Sequence, residues 1–371
     1  MELNSQSIVQ KWLTIARWAA SGGNAQPWIA HYSEEADHLI LYLSIDPCYR
    51  QHPSLMDIMG LASVMSLGCL TLNLTQMAHG DGYVCDSMEI QKQNSNWDST
   101  VILQFRRNRN TYSPYTEEDI LLRKTDRQKY KQTPISIELE QAIAGITKKY
   151  KSTHLFTFKE EKNQLATDLF NLENIRWQHS RLFNSMLSEI SFSQSQSSGS
   201  DKIPEYQLGI SPADQAILKL LKQFPVLQFL LKLGFHRHPV KKIIQDSVTC
   251  CERICFLQGN DLSVEECFQL GQCFQEIWLE TNKNGVSFQP IGNPLIALGY
   301  WNDPSAFSFK KKQQKTLIHI TENFSTSYHI DLKKPTLGFR IGWPEAPSRN
   351  GVRKELIAKK ISLNSQSVKL G

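Results

Sequence analysis

Two long stretches of the chain repeat apolar residues at helical spacing, each around a central glycine. Leu67-Gly68 is followed, fourteen residues after the glycine, by Gly82-Tyr83, and Leu270-Gly271 at the same distance by Gly285-Val286. Between the paired glycines each segment reads as an amphipathic helix. The first buries Leu70, Leu74 and Met77, the second Phe274, Ile277 and Trp278. Ser54-Leu55-Met56-Asp57 and Ser263-Val264-Glu265-Glu266 are capping-box-like openings for the two, and Gly285 after Asn284 ends the second. A glycine inside a helix costs about 1 kcal/mol against alanine. A close helix–helix contact explains why that cost is carried twice.

Around these helices the pattern alternates at the period of strands. In the first part, strands are expected near Trp28–Tyr32, His38–Asp46, Tyr83–Gln91 and Thr100–Arg106; the second of these alternates Leu39, Leu41, Leu43 and Ile45. In the second part a helix follows Ser136, with Glu138 and Glu140 in its first turn, where the helix dipole favours them. A strand near His154–Phe158, a helix from about Lys162 to Leu187, and strands near Ile254–Leu257, Thr316–Thr321 and Leu337–Trp343 complete it. The fold class is α+β: mainly antiparallel central sheets with helices, in two halves, 1–115 and 116–371.

Within the second half, 191–246 is an inserted segment. It opens on the low-complexity run Ser193 to Ser200, which reads as a flexible linker, and continues into Ala216–Phe235, rich in Leu and Phe and broken by Pro225. Leaving Leu218, Leu221, Phe224, Leu227, Leu230 and Leu231 in water costs roughly 1.5–3 kcal/mol per side chain. The segment therefore packs on the core, lies on a membrane surface, or covers a ligand site as a lid.

Composition narrows the function. The 371 residues are 40% hydrophobic and 21% charged, with 41 basic and 36 acidic side chains, an ordinary globular balance. The short basic runs at Arg106–Arg109, Lys148–Lys151 and Lys310–Lys312 carry little aromatic character and read as solvated edges, not as a nucleic-acid surface. The first twenty residues hold no signal-peptide pattern, and no apolar run is expected to span a membrane. The eight cysteines follow no metal spacing and read as free thiols, which points to a reducing, cytoplasmic setting. No metal site, P-loop or dinucleotide motif is present, and His236 and His238 read as structural or surface residues.

Four motifs carry candidate chemistry. Ser21-Gly22-Gly23-Asn24-Ala25-Gln26-Pro27-Trp28 is a small turn offering backbone N–H groups and neutral side-chain polar atoms at close range, which suits a flat heterocycle; it also reads as a plain helix C-cap. Arg123-Lys124-Thr125-Asp126-Arg127 in an extended strand puts two guanidinium forks and a hydroxyl on one face, which suits a phosphate; alternating charge on an edge strand reads the same way. Pro290-Ile291-Gly292 is a turn after the second glycine helix. The tail carries Arg340, Arg349 and Arg353, any of which could be a solvated surface arginine.

The octet resembles the S-x-x-N-x-Q-P-W signature of the flavin-dependent nitroreductase superfamily, with Ala20 where members usually have proline. The resemblance extends to R-x-S/T-x-R, to a P-I-x-G-like turn and to a closing strand with a phosphate-contacting arginine, placed at Arg349 with Arg340 and Arg353 as lesser candidates. It implies an FMN site made by Ser21, Gly22, Asn24, Gln26, Arg123, Thr125, Arg127, Pro290, Ile291, Gly292 and Arg349, with the turn's backbone N–H at flavin N5 and no catalytic side chain. The Asn24 loop lies in the first half and the other pieces in the second, as expected of a fused dimer that kept one site and works as a pseudo-dimeric monomer. It is similar to internally duplicated "twin" nitroreductase-like proteins. The implied function is an FMN-dependent oxidoreductase that takes hydride from NADH or NADPH to a small electrophilic substrate. The alternatives are a flavin store without turnover and a partner- or membrane-surface-binding module.

Overall fold

The computed structural model describes residues 4–35, 37–192, 200–346 and 348–361. Asn4 caps the first helix, α1 (Ser5–Ala16), by accepting the Ser7 N–H at 2.8 Å. Strands β1 (Trp28–Glu35) and β2 (His38–Ile45) form an antiparallel pair. Their alternate residues Trp28, Ala30, Tyr32 and Leu39, Leu41, Leu43 point into one core. After the short helix α2 (Pro47–Gln51) come the long helix α3 (Leu61–Gly80) and the hairpin β3 (Tyr83–Lys92) and β4 (Ser99–Arg107).

The opening of α3 differs from the expected capping box at Ser54. A single 3-10 turn, Ile58–Gly60, precedes the helix, with Met59 at φ 51° and Gly60 at φ 78°. The Asp57 carboxylate accepts the Ser63 N–H (3.1 Å) and the Ser63 hydroxyl, while Ser54 Oγ donates instead to Glu189 (2.7 Å). Ser54 is thus used for a tertiary contact that its own segment could not announce.

The second part runs α4 (Glu117–Leu122), β5 (Tyr130–Lys131), α5 (Ile137–Lys149), β6 (Thr153–Phe158), α6 (Lys162–Gln178) and α7 (Ser180–Ser188). The single helix expected over Lys162–Leu187 is broken at His179, whose ring accepts the Leu182 N–H (3.4 Å) and starts α7. Then β7 (Ile190–Ser191) pairs in parallel with β8 (Ile203–Pro204). Of the linker read over Ser193–Ser200, residues 193–199 lie outside the described residues. Helices α8 (Pro212–Gln223), α9 (Phe229–Lys232) and α10 (Arg237–Thr249) follow, with a 3-10 turn starting at Pro225 between the first two.

The chain closes with β9 (Arg253–Gly259), α11 (Val264–Lys283), β10 (Ser287–Ile291), α12 (Pro294–Asn302), α13 (Pro304–Phe307), α14 (Lys311–Tyr328), β11 (Thr336–Pro344) and β12 (Ala358–Lys360). The strand expected at Thr316–Thr321 is instead the middle of α14. Leu317, Ile320 and Phe324, three and four residues apart, are fully buried, so helical spacing outweighs the β-branched composition.

The fold is a mixed α/β arrangement of two main sheets. The first has the order β12-β1-β2-β4-β3 and the second β10-β11-β9-β6. Apart from parallel β12, neighbouring strands of both are antiparallel. Helix α3 falls between β2 and β3 in the chain, and α11 between β9 and β10. The two helices pack on each other at their glycines. A Cβ on Gly68 would lie 2.1 Å from the Phe268 carbonyl oxygen, and one on Gly271 would lie 1.9 Å from that of Met65. Phe268 is three residues before Gly271 and Met65 three before Gly68, so the close approach is reciprocal. Gln275 donates to Asn73 across the crossing (2.9 Å) and accepts the Ala20 N–H (3.1 Å).

Among the described residues one stretch, Ile58–Gly80, has the length and, in an 18-residue window, the mean hydropathy (1.6) of a membrane span; 83% of that window is buried in the protein, against α11 and its neighbours, as a core helix is. The eight cysteines are free thiols, and Cys69, Cys251, Cys255, Cys267 and Cys273 are buried. His236 is buried, bonded to Asn174 (2.8 Å) and stacked on Trp177.

Candidate functional site

The Ser21–Trp28 octet is a tight turn between α1 and β1. Gly23, Asn24 and Gln26 adopt φ of 59°, 63° and 49°, interrupted by Ala25 at −62°; positive φ is unusual for the two side-chain-bearing residues and is held by a dense set of hydrogen bonds. Ser21 Oγ accepts the Gln26 N–H (3.2 Å), and Gln26 Nε2 donates to the Asn24 carbonyl (3.0 Å). Gly22 is open: no heavy atom lies within 4 Å of where a Cβ would stand. Gly23 is closed by Glu189, whose Cδ would sit 2.7 Å from a Cβ there.

Asn24 joins this loop to the C-terminal tail. Its Oδ1 accepts from Arg353 Nη1 (2.6 Å), and its Nδ2 donates to the Val352 carbonyl (3.2 Å). Arg353 stacks on Trp18, and the Trp18 carbonyl accepts from Arg123 Nε (2.7 Å). Arg123, 2% exposed, stacks in turn on Trp278 at 4.4 Å. Arg123 is buried and Arg353 half-buried with its Nε covered, so two like charges lie close together. Burial first, and the neighbouring Arg353 charge second, hold the Arg123 guanidinium well below its ordinary range. Burial, with Arg17 nearby, pushes Arg353 down to about 10. Among the described residues, Arg123 Nη2, Arg353 Nε and the nearby Ser348 Oγ are buried with no hydrogen-bond partner.

The Arg123–Arg127 segment is not the strand that the sequence suggested. Arg123 is the C-cap of α4, and an irregular loop leads to β5. Asp126 turns that loop by accepting from Ser287 Oγ (2.6 Å) and from the Gln128 N–H (2.9 Å). The two arginines consequently have different neighbours: Arg123 lies with Trp18, Trp278 and Arg353, whereas Arg127 feels Tyr130 and Arg340 and donates to the Gln207 carbonyl (2.9 Å). Burial pushes Arg127 down to about 10. Thr125 is half-buried.

Residues 200–209 form a strap across these pieces. The Lys202 carbonyl accepts from Asn24 Nδ2 (3.1 Å) and that of Ser200 from Gln26 Nε2 (3.2 Å). Gln207 donates to the Arg349 carbonyl (3.0 Å), and Tyr206 OH donates to that of Asn350 (3.1 Å). The Arg349 guanidinium itself is exposed beside Tyr206. The apolar part of the insertion lies elsewhere. Leu218, Leu221 and Leu231 pack with Phe183, Leu187 and Ile190 of α7 and β7, while Phe224, expected to be buried, is 53% exposed.

The Pro290–Gly292 turn reaches the Asn24 loop through acids that sequence reading did not single out. Asn293 donates to Glu173 (2.7 Å), and Glu173 accepts from Arg176 Nη2 (2.6 Å). Arg176 acts electrostatically on Glu189, the carboxylate against Gly23, and burial raises the Glu189 pKa. Pro290 and Ile291 pair with Phe339 and Gly338, and Gly292 has open space at its Cα. The signal for Glu189 is tertiary: it caps the end of α7, and Ser54, far away in the chain, donates to its carboxylate beside the loop. A cavity of about 320 Å³ lies away from all of these, on the face of the first sheet opposite its core, lined by Tyr42, Ile102, Trp97 and Arg50 among others.

No protein-family model matches the chain, and no curated protein matches it in sequence. Solved structures similar to it include a nitroreductase with bound FMN from Desulfitobacterium hafniense (12% identity, 63% of this chain and 92% of that one, TM-score 0.32). The FMN-dependent nitroreductase NfnB from Mycobacterium smegmatis in complex with NADPH matches at 10% identity, 62% and 87% coverage and TM-score 0.31. A nitroreductase with bound FMN from Bacteroides fragilis matches at 10% identity, 68% and 96% coverage and TM-score 0.30.

Proposed function

We propose that this chain binds one FMN where its two sheets meet and acts as an oxidoreductase of the nitroreductase type. The observation that carries the reading is the pair of buried Arg123 and half-buried Arg353. Among the described residues neither guanidinium, one over Trp278 and the other over Trp18, is paired with a carboxylate, and each keeps a buried N–H without a partner, which fits a phosphate dianion. Arg353 of the tail, not the exposed Arg349, is the arginine we assign to that phosphate. Nothing in the motif set provides for an adenine, so the reading is FMN and not FAD.

The residues fit the rest of the group in outline. The Ser21–Gln26 loop and the Pro290–Gly292 turn would border the ring, with open backbone at Gly22 and Gly292. Bound FMN would supply hydride acceptance from a nicotinamide and delivery to an electrophile. The chain's own residues bind, orient and exclude water: Arg123 and Arg353 fix the phosphate end, Asn24 locks the loop to the tail, and the strap at 200–209 shields the site. The fused-dimer reading, with halves 1–115 and 116–371 and 191–246 as an insertion, is supported by the reciprocal glycine contact. It is supported too by the matching strand orders, β1-β2-β4-β3 and β6-β9-β11-β10.

A second reading, flavin storage without turnover, has its own support. The Asn24 and Gln26 amides and the Arg127 guanidinium donate to main-chain carbonyls of the strap. A strap that stays in place bars substrates. The test is an FMN titration of purified protein followed by anaerobic mixing with NADH or NADPH. Saturation at one FMN per chain is expected, with reduction of the flavin on anaerobic mixing and steady-state oxidation of the nicotinamide once an electron acceptor such as a nitroaromatic or a quinone is added. Binding without turnover selects storage, and no FMN affinity overturns both readings.

A further inference from the structure

The insertion carries a second surface that the flavin reading does not use. Between Ile217 and Phe235, seven large apolar side chains are exposed: Ile217, Leu220, Phe224, Val226, Phe229, Leu233 and Phe235, from 49% to 75%. Another, Ile243, follows in α10. Exposed apolar residues scattered singly are ordinary; seven within nineteen residues are a patch. Local geometry gathers them. Ile217, Leu220 and Phe224 are three and four residues apart, one stripe along α8 and its C-cap, while Leu218 and Leu221 turn inward against Phe183 and Ile190. The segment is thus anchored by one apolar side and leaves another facing water.

The charge around the patch has one sign. From Gln215 to Gln245 the chain has Lys219, Lys222, Lys232, Arg237, Lys241 and Lys242 and no acidic residue. Lys222 is committed to the Leu187 and Ile190 carbonyls. The other five are exposed, and none makes an ion pair among the described residues. The flanking acids are already engaged: Asp214 with Ser211 (2.6 Å) and Asp246 with Lys129 (3.1 Å). A second copy docked face to face would bring these five like charges against their equivalents, which disfavours self-association.

We propose that α8, α9 and α10 form an interfacial anchor for an anionic lipid bilayer. Phe224, Phe229, Leu233 and Phe235 enter the boundary between headgroups and acyl chains, and Lys219, Lys232, Arg237, Lys241 and Lys242 lie over anionic headgroups. The protein rests on the membrane and does not cross it. The helix that has spanning length, Ile58–Gly80, stays in the core.

Flotation of the full chain with liposomes of phosphatidylcholine alone, or with 30% phosphatidylglycerol, tests this. Binding to the anionic vesicles, weakened by salt, with little binding to the neutral ones is expected. Lys219→Gln/Lys232→Gln/Arg237→Gln should lower the partition about a hundredfold, at roughly fivefold per charge. Phe224→Ser/Phe229→Ser/Leu233→Ser should abolish it with circular dichroism and FMN content unchanged. If that apolar variant misfolds, the charge variant still decides. Absence of binding to either vesicle overturns the proposal, as does equal binding to both that the charge variant leaves intact. Dimerisation in sedimentation that the apolar substitutions remove, without vesicle binding, would assign the patch to a second copy instead.

Discussion

Arg340 and Arg123 are both almost fully buried, at 1% and 2% exposure, yet their surroundings differ in kind. Arg340 donates from Nε to Gln289 (2.7 Å), from Nη1 to the Ser247 carbonyl (3.0 Å) and from Nη2 to the Gln128 carbonyl (2.7 Å), and it stacks on Tyr130 at 4.0 Å. Its fork is saturated by the protein and ties β10, β11, α10 and the loop before β5 together. Arg123 donates once, to Trp18, and faces another arginine. A buried charge that the fold satisfies is part of the fold. One that the fold leaves under-satisfied beside a like charge is poised for something the fold does not contain.

Four substitutions break or sharpen this contrast. Arg340→Met orphans the Gln289, Ser247 and Gln128 acceptors and should lower unfolding free energy by about 3–5 kcal/mol in urea titration. A loss under about 1 kcal/mol would remove Arg340 from the structural class. Arg123→Met and Arg353→Met should each weaken FMN binding ten- to a hundred-fold, or about 1.5–3 kcal/mol, in fluorescence titration. Their stability should change by no more than about 1 kcal/mol, because an uncompensated charge leaves together with its hydrogen bond. Arg349→Met should leave affinity within about twofold; a larger loss there than at Arg353 would return the phosphate to Arg349.

The last prediction concerns a buried acid. Burial pushes Asp57 up to about 6, against hydrogen bonds from Ser63 and Tyr49 that act the other way. A carboxyl whose folded pKa lies above its unfolded value of 3.8 holds its proton longer in the native state. Native stability therefore falls as pH rises from about 4 through 6, by on the order of 2 kcal/mol. Asp57→Asn should flatten that window in a series of urea midpoints; an unchanged slope would mean that Asp57 ionises freely in the folded protein.

Much of this was legible in the chain because it rests on local period. The paired glycine helices, the strands near Trp28, His38, Tyr83, Thr100, His154, Ile254 and Leu337, and the Ser136 and Ser263 caps all follow from spacing. What escaped depends on distant partners. Thr316–Thr321 has strand composition, but its buried neighbours across α14 decide otherwise. In the sequence Arg353 is a lesser candidate than Arg349 because nothing local covers it; its partial burial accompanies Leu356 and β12 docking against α1 and β1. The strap converges on the Asn24 loop once β7 meets β8, and Glu189 stands beside that loop where Ser54 donates to its carboxylate.

The placement of β12 has a mechanical consequence. Strand β11 belongs to the second sheet and β12 to the first, so the described residues between them, 345–346 and 348–357, belong to a connection fastened at both ends. Arg353 rides on that tether and reaches Asn24 as an intramolecular ligand. Its local concentration is set by tether length, in the millimolar range typical of short linkers. A cut anywhere between β11 and Arg353 would turn that contact into a bimolecular one at the protein's own concentration. The arginine would then be held only through β12 and the other contacts of its own fragment, and would leave Asn24 when that fragment dissociates on dilution.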